Sequence, residues 1–248
     1  MNKQLAKLLK KLKYINNQRR YDFIMASSLH IEFTGISGAG KTTTFIEVCK
    51  ELERRNITFE NLNLINSRKI NAYNLFILLK CLYLVFSLKP NGLKGLKKIF
   101  KHIVSFKIRY SASSNKYKTH LLDEGIFHKI RDISRHSKEK EMIKIAEKVF
   151  KSINTPDIVI SIEANADIIF KRRIKRDRKN DVIDYRVISI YVSQYNETIE
   201  TIEYVRDNKK KKLELVRIKN ESDDDIENNA KIIVDEIEKQ LFFKNNIK

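Results

Sequence analysis

The sequence predicts an α/β fold built on a doubly wound, mostly parallel five-stranded sheet. Three observations predict it. Short apolar runs alternate with longer helix-period segments, the order that successive βαβ units require. The first apolar run ends in a glycine-rich turn that leads directly into a helix. Of the 248 residues, 42% are hydrophobic, enough for a packed core and too many for a chain disordered throughout.

Each element has its own signal. Residues 1–27 form a basic extension in which Leu5, Leu8, Leu9 and Leu12 recur at near-helical spacing between lysines, so a short amphipathic helix is expected there. It can pack on the domain, fray, or meet a membrane surface. The main domain spans 28–242, followed by a tail, 243–248. Leu29 to Phe33 reads as the first strand and Thr42 to Glu53 as the first helix, with Phe45, Val48, Cys49 and Leu52 on one face. Ile57 to Ile65 reads as a second strand. Thr119 to Leu122 is a short apolar run closed by acids, the pattern of a buried parallel strand. Lys138 to Ile153 is an amphipathic helix, and Asp157 to Ile162 is the clearest buried strand. Ala166 to Arg176 and Asp184 to Tyr204 read as helices, Leu213 to Ile218 as the last strand, and Asp223 to Phe242 as the last helix.

Composition bounds the partners. Lys and Arg number 50 against 31 Asp and Glu, a formal charge of +19, which favours phosphates and anionic surfaces. Cys49 and Cys81 cannot build a disulfide framework in a chain of this length. Five histidines without ligand spacing argue against a zinc site. The basic N-terminus lacks the apolar run of a secretory signal, so the cytoplasm is the expected location, with contact at the inner membrane face left open.

The octapeptide Gly35-Ile36-Ser37-Gly38-Ala39-Gly40-Lys41-Thr42 fits GxxxxGK[ST] between a strand and a helix. Three of the six glycines in the chain fall inside it. Such glycines let the backbone curl until consecutive N–H groups face phosphate oxygens. The helix beginning near Lys41 adds the positive end of its dipole. A nucleotide-binding set of Gly35, Ser37, Gly38, Ala39, Gly40, Lys41, Thr42 and Thr43 is expected. Lys41 would reach the β- and γ-phosphates of ATP, and the Thr42 hydroxyl would ligate Mg²⁺.

Asp123 and Glu124 follow the buried strand 119–122, and carboxyl ends of strands in doubly wound sheets face the ligand crevice. Asp123 is expected to hold Mg²⁺, and Glu124 to orient or deprotonate a nucleophile. They close a stretch, Asn61 to Leu122, that contains twelve Lys or Arg and no acid.

Phe33-Thr34-Gly35-Ile36-Ser37-Gly38-Ala39-Gly40-Lys41-Thr42-Thr43 resembles the phosphate loop of the nucleoside and nucleotide kinases, thymidylate kinases above all. The resemblance implies a P-loop NTPase three-layer sandwich with a helical insertion at about 66–112 and a lid at about 171–183. It continues through Pro156-Asp157 and the following strand to Arg173 and Arg176, with Arg178 just beyond; in that family such arginines close over the transferred phosphoryl group. Arg172 lies off the face shared by Arg173 and Arg176 and is expected to be structural or solvent-exposed. Arg68 stands near the position of the family's acceptor-site arginine, and Lys219 and Asn220 near that of its base-contacting loop. Where the family carries Asp-Arg at the acidic strand end, this chain has Asp123-Glu124, a pair that also resembles the strand end of many ATPases.

Between the loop and the acids, Leu75 to Leu88 is about 14 mostly apolar residues, short of a bilayer span. After Lys89-Pro90-Asn91-Gly92, a second arm sets Leu93, Leu96, Phe100, Ile103 and Val104 against five lysines. This helical hairpin, 73–108, can cover an acceptor, dock on a membrane surface or meet a partner, a homodimer included. No aromatic-basic motif or recognisable module supports a nucleic-acid partner. The expected activity is transfer of the γ-phosphate of MgATP to a small anionic or hydroxyl-bearing acceptor. The alternative is a P-loop ATPase or a regulatory nucleotide-binding protein, with or without a membrane surface.

Overall fold

The structure, a computed structural model, describes residues 28–64, 81–112, 119–176, 184–208, 213–222 and 224–246. The expected N-terminal helix, Arg68, Arg178 and the start of the hairpin's first arm lie outside them.

Five strands are present: β1 (Leu29–Gly35), β2 (Phe59–Asn61), β3 (Thr119–Leu122), β4 (Ile158–Glu163) and β5 (Glu214–Lys219). All pair in parallel, in the order β2-β3-β1-β4-β5. The order in which strands are added reverses at β1, with β3 on one side and β4 on the other, so the end of β1 opens into the crevice at the switch point. This is the P-loop three-layer α/β architecture.

The helices are α1 (Lys41–Arg54), α2 (Gly92–Ala112), α3 (Ile126–His136), α4 (Met142–Phe150), α5 (Ala166–Arg176), α6 (Tyr185–Asn208) and α7 (Asp225–Asn246), with a further helical segment at 81–87. Strand alternation assigns the two faces of the sheet. Leu29, Ile31, Phe33, Ile158, Ile160 and Ile162 face one side, where Phe45, Val48 and Leu52 of α1 and Ile233, Val234 and Ile237 of α7 cover them. Leu122 and Val159 face the other side and pack with residues of α2 to α6, Ile103, Ile130 and Ile202 among them. On that second face β1 buries a polar row: His30, Glu32 and Thr34. His30 stacks on His120 with ring centroids 4.8 Å apart, and its backbone N–H donates to Asp157 at 2.8 Å.

Three elements differ from their sequence expectation, each for a local reason. The second strand is only Phe59–Asn61, followed by a 3₁₀ turn over Leu62–Leu64. Asn61 Oδ1 accepts the backbone N–H of Asn63 at 3.0 Å and draws the chain out of the ladder. The helix expected from Lys138 begins at Met142. Ser137 hydrogen-bonds the Leu88 carbonyl and accepts the Glu139 N–H at 3.0 Å, while the Lys138 N–H donates to the Lys89 carbonyl at 2.8 Å. Tertiary contacts therefore claim the residues that helical periodicity would have included. Helix α3 was not expected at all, although Ile126, Phe127, Ile130 and Ile133 recur on one buried face.

Candidate active site

Gly38 and Gly40 carry φ of 102° and 91°, the left-handed region that glycine tolerates best. A Cβ on Gly40 would also collide with the Asn220 side-chain amide, and one on Gly38 would sit 3.0 Å from Ile169 and 3.2 Å from Arg173 Cγ. The loop is thus pressed between α5 and the segment after β5, with no room for larger residues. The N-cap of α1 is Gly40, which offers no side-chain cap. The first-turn N–H groups of Lys41, Thr42 and Thr43 are therefore presented at a dipole's positive end, where an anion can take them.

Asp123 lies beside this helix start. Its Oδ1 accepts from Lys41 Nζ at 2.8 Å, and its backbone carbonyl accepts from the same ammonium at 3.0 Å. Its Oδ2 accepts from Thr42 Oγ1 at 3.3 Å. Residues 82 positions apart thereby converge. A hydroxyl and a carboxylate side by side at a phosphate cradle fit Mg²⁺. That ion takes hard oxygen ligands, keeps several waters, and needs only one or two protein donors when phosphates supply the rest. Among the described residues no cluster of three or more His, Cys, Asp or Glu could form an all-protein cage.

Glu124 sits one residue further out, about half exposed. Its Oε2 meets Lys129 Nζ at 2.5 Å, and its Oε1 lies 3.9 Å from His128 Nε2 and 4.0 Å from Lys41 Nζ. Burial pushes its carboxyl up, but the hydrogen bond from Lys129 and the charges of Lys129 and Lys41 outweigh that, leaving it below the usual carboxylate range. His128 is held down to about 4, chiefly by burial, so it is neutral at pH 7. Glu124 is thus an anion beside a neutral imidazole, bridged to the Lys41–Asp123 pair. Neither His128 nor Lys129 was read from the sequence; their positions one helical turn after Glu124 were the available signal.

The arginine helix divides its residues. Arg173 is 8% exposed and packs along the loop at Gly38. Arg176 is exposed and lines a cavity of about 360 Å³ with Gly40, Arg172, Lys175, Asn220 and Ile226. Arg172 is structural: it donates to the Asn220 carbonyl at 3.0 Å and to the Ala39 carbonyl at 3.4 Å. Asn220 is fully buried and donates to the Ala39 carbonyl at 2.8 Å, which ties the segment after β5 to the phosphate loop. Lys219 lies instead on a separate, smaller cavity of about 180 Å³ with Ile36, Tyr195 and Asn196.

Behind the acidic turn is a residue the sequence reading missed. Glu32, on β1, is 1% exposed; it accepts from the Tyr110 hydroxyl at 2.5 Å and from the Ile126 N–H at 2.8 Å. It joins β1, the end of α2 and the start of α3 directly behind Gly125, where a Cβ would strike its carboxyl group. An acid in the middle of the strand that leads into the glycine-rich turn was the signal. Burial raises its pKa to about 7, against the smaller lowering effects of Tyr110, Ile126 and Phe127. The folded state therefore holds a proton that the unfolded chain releases near 4.5, and stability should fall as pH rises from about 4.5 to 7. Glu32→Gln removes this dependence. Thermal melts at pH 5 and 8 should show the variant gaining on the parent at the higher pH, and an unchanged difference would mean that the carboxyl stays ionised throughout.

No protein-family model matches the sequence, and no curated protein matches it. Among solved structures, the chain is similar to deoxyadenosine kinase from M. mycoides. The form with bound dATP shares 15% identity at a TM-score of 0.48, and the form with bound dCTP 16% at 0.45. The form with the products dCMP and a flexible dCDP shares 16% at 0.46. In each case 84% of this chain and 98% of the other are covered.

Proposed function

We propose that this protein is a phosphotransferase of the nucleoside and nucleotide kinase type, moving the γ-phosphate of MgATP to a small hydroxyl-bearing or anionic acceptor. The observation that carries the proposal is the convergence of Lys41, Thr42 and Asp123 at an uncapped helix start, with Glu124 held anionic beside them. The α1 N-terminus and the loop amides bind the phosphates, and Lys41 leaves Asp123 to meet the β- and γ-oxygens. Thr42 and Asp123 would hold Mg²⁺, which neutralises phosphate charge when bound. The cavity lined by Arg176, Asn220 and Ile226 takes the remainder of the nucleotide. Glu124 accepts the acceptor hydroxyl's proton as attack proceeds, and Lys129 keeps that carboxylate oriented. Arg173 and Arg176 compensate the charge that spreads over the equatorial oxygens of the moving group.

The half-exposed Glu124 also supports a second reading, an ATPase in which this carboxylate orients water. The experiment that separates them is a screen of nucleosides, nucleoside monophosphates and phosphosugars for stimulation of ADP release. A kinase shows stimulation by one class; an ATPase releases ADP at the same rate without any.

The two acids should respond differently. Asp123→Asn is expected to weaken Mg²⁺-dependent nucleotide binding, because it removes the carboxylate that accepts from Thr42. Glu124→Gln is expected to lower turnover by about 10²-fold or more with little change in ATP affinity, the usual scale for a proton-transfer group. Steady-state turnover and nucleotide titration of both variants check this. Full activity in both would reduce the pair to a solvated strand end.

A further inference from the structure

We infer that the hairpin formed by 81–87 and α2 is a docking surface for an anionic phospholipid membrane. This surface is independent of the phosphate site. Its tip is fastened to the far end of α3: the Asn91 N–H donates to the His136 carbonyl at 2.8 Å, and Pro90 bridges to Ser137. Helix α3 starts beside Asp123 and Gly125, and its 11 residues place the tip about 16 Å along the helix from the acids, at 1.5 Å per residue. The tip is therefore poorly placed to cover an acceptor at Glu124.

Three large apolar side chains are displayed there instead of being buried. Tyr83 is 78% exposed, Phe86 61% and Leu93 85%. Tyr83 and Phe86 are three residues apart in a helical segment and share a face, and Leu93 follows on the other side of the turn. The remaining apolar residues of the hairpin behave normally: Leu84, Val85, Leu88, Ile99 and Ile103 are in the core. Flanking the exposed trio are Lys89, Lys94, Lys97, Lys98 and Lys101, all exposed, and none has an ion-pair partner among the described residues. On α2 the spacing of Lys94, Lys97, Lys98 and Lys101 gathers them on the outward face with Leu93. Acids on neighbouring segments are engaged by other cations: Asp132 of α3, which acts on His102 of α2, by Arg135 at 3.8 Å and Lys129 at 4.0 Å, and Glu141 by Lys144 at 2.7 Å.

Charge complementarity selects the occupant. Such a lysine field repels a second copy of itself, which argues against a dimer through this face. Nucleic acid would use the lysines and could stack on Tyr83 and Phe86, but an exposed leucine at the apex gains nothing from a phosphate backbone. Apolar side chains that enter the headgroup boundary, with lysines on the face of Leu93 that meet anionic lipid, account for both features together. Among the described residues no helix is long and apolar enough to cross a bilayer.

The test uses the full chain in sedimentation with vesicles of phosphatidylglycerol and phosphatidylcholine, beside vesicles of phosphatidylcholine alone. Binding should require the anionic lipid and weaken with salt. Each lysine near an anionic surface is worth roughly fivefold in affinity, so the combined Lys94→Gln, Lys97→Gln, Lys98→Gln, Lys101→Gln variant should bind at least about 100-fold more weakly. Phe86→Ser with Leu93→Ser should lose at least about tenfold. All six positions are exposed, and melting curves would confirm that both variants stay folded. Failure of the parent to sediment with anionic vesicles, equal binding to neutral ones, or unchanged binding by the variants would overturn the inference. So would lysine-dependent retention of single-stranded RNA without vesicle binding, which would assign the face to nucleic acid.

Discussion

Arg173→Ala is expected to lower turnover by about 10³-fold or more, the scale on which guanidinium groups act in phosphoryl transfer. Arg173 is nearly buried and lies along the phosphate loop at Gly38, so it is positioned before any ligand arrives. Only interactions that strengthen between ground state and transition state raise the rate. The loop amides and Lys41 already meet the bound phosphates, so ATP affinity should change far less than turnover. Arg173→Lys should rescue poorly, since an ammonium lacks the planar fork. Arg176 is different: it is exposed and lines the cavity beside Gly40 and Asn220, so Arg176→Ala should cost affinity as well. Turnover and ATP titration on the four Ala and Lys variants check this. Equal loss of affinity and turnover at Arg173 would make it a clamp and remove the catalytic role assigned to it.

Lys41→Ala is expected to weaken MgATP binding by about 100-fold or more, because it leaves phosphate charge in the loop without its charged donor. The fold should survive. Although 7% exposed, Lys41 contributes its packing at the mouth of the crevice, and Phe45, Val48 and Leu52 hold α1 in the core without it. The same substitution releases Asp123 from its 2.8 Å partner, leaving Thr42 as its remaining site contact. Calorimetric titration with MgATP measures the effect, and a melting curve separates it from unfolding. Unchanged affinity would sink the nucleotide site.

The site was legible in the sequence wherever its chemistry is local. A phosphate cradle needs glycines, a lysine and a hydroxyl within eight residues, so Gly35 to Thr42 could be read directly. Asp123 was legible through a topological rule, since a buried parallel strand that ends in acid points at the crevice. Glu32 and Tyr110 were not legible as partners. They lie 78 positions apart and meet only when α2 and α3 converge on β1. Asn220 and Arg172 fall between these cases: the loop after β5 was expected near the nucleotide, but their shared hold on the Ala39 carbonyl arises only when α5 and the segment after β5 meet at the loop. The core was legible as alternation and periodicity, except at α3. There a single residue, Gly125, separates Asp123 and Glu124 from the helix, and so short a connection gives no loop signal to mark where the helix begins.

The central claim is that the γ-phosphate leaves ATP for an acceptor and not for water. The direct measurement is ³¹P spectroscopy of MgATP incubated with the protein and a mixed pool of nucleosides, nucleoside monophosphates and phosphosugars. The account predicts that the γ-resonance is replaced by a new phosphoester or phosphoanhydride signal on one acceptor class, and that Lys41→Ala abolishes it. Growth of inorganic phosphate alone, at a rate indifferent to the pool, would contradict it.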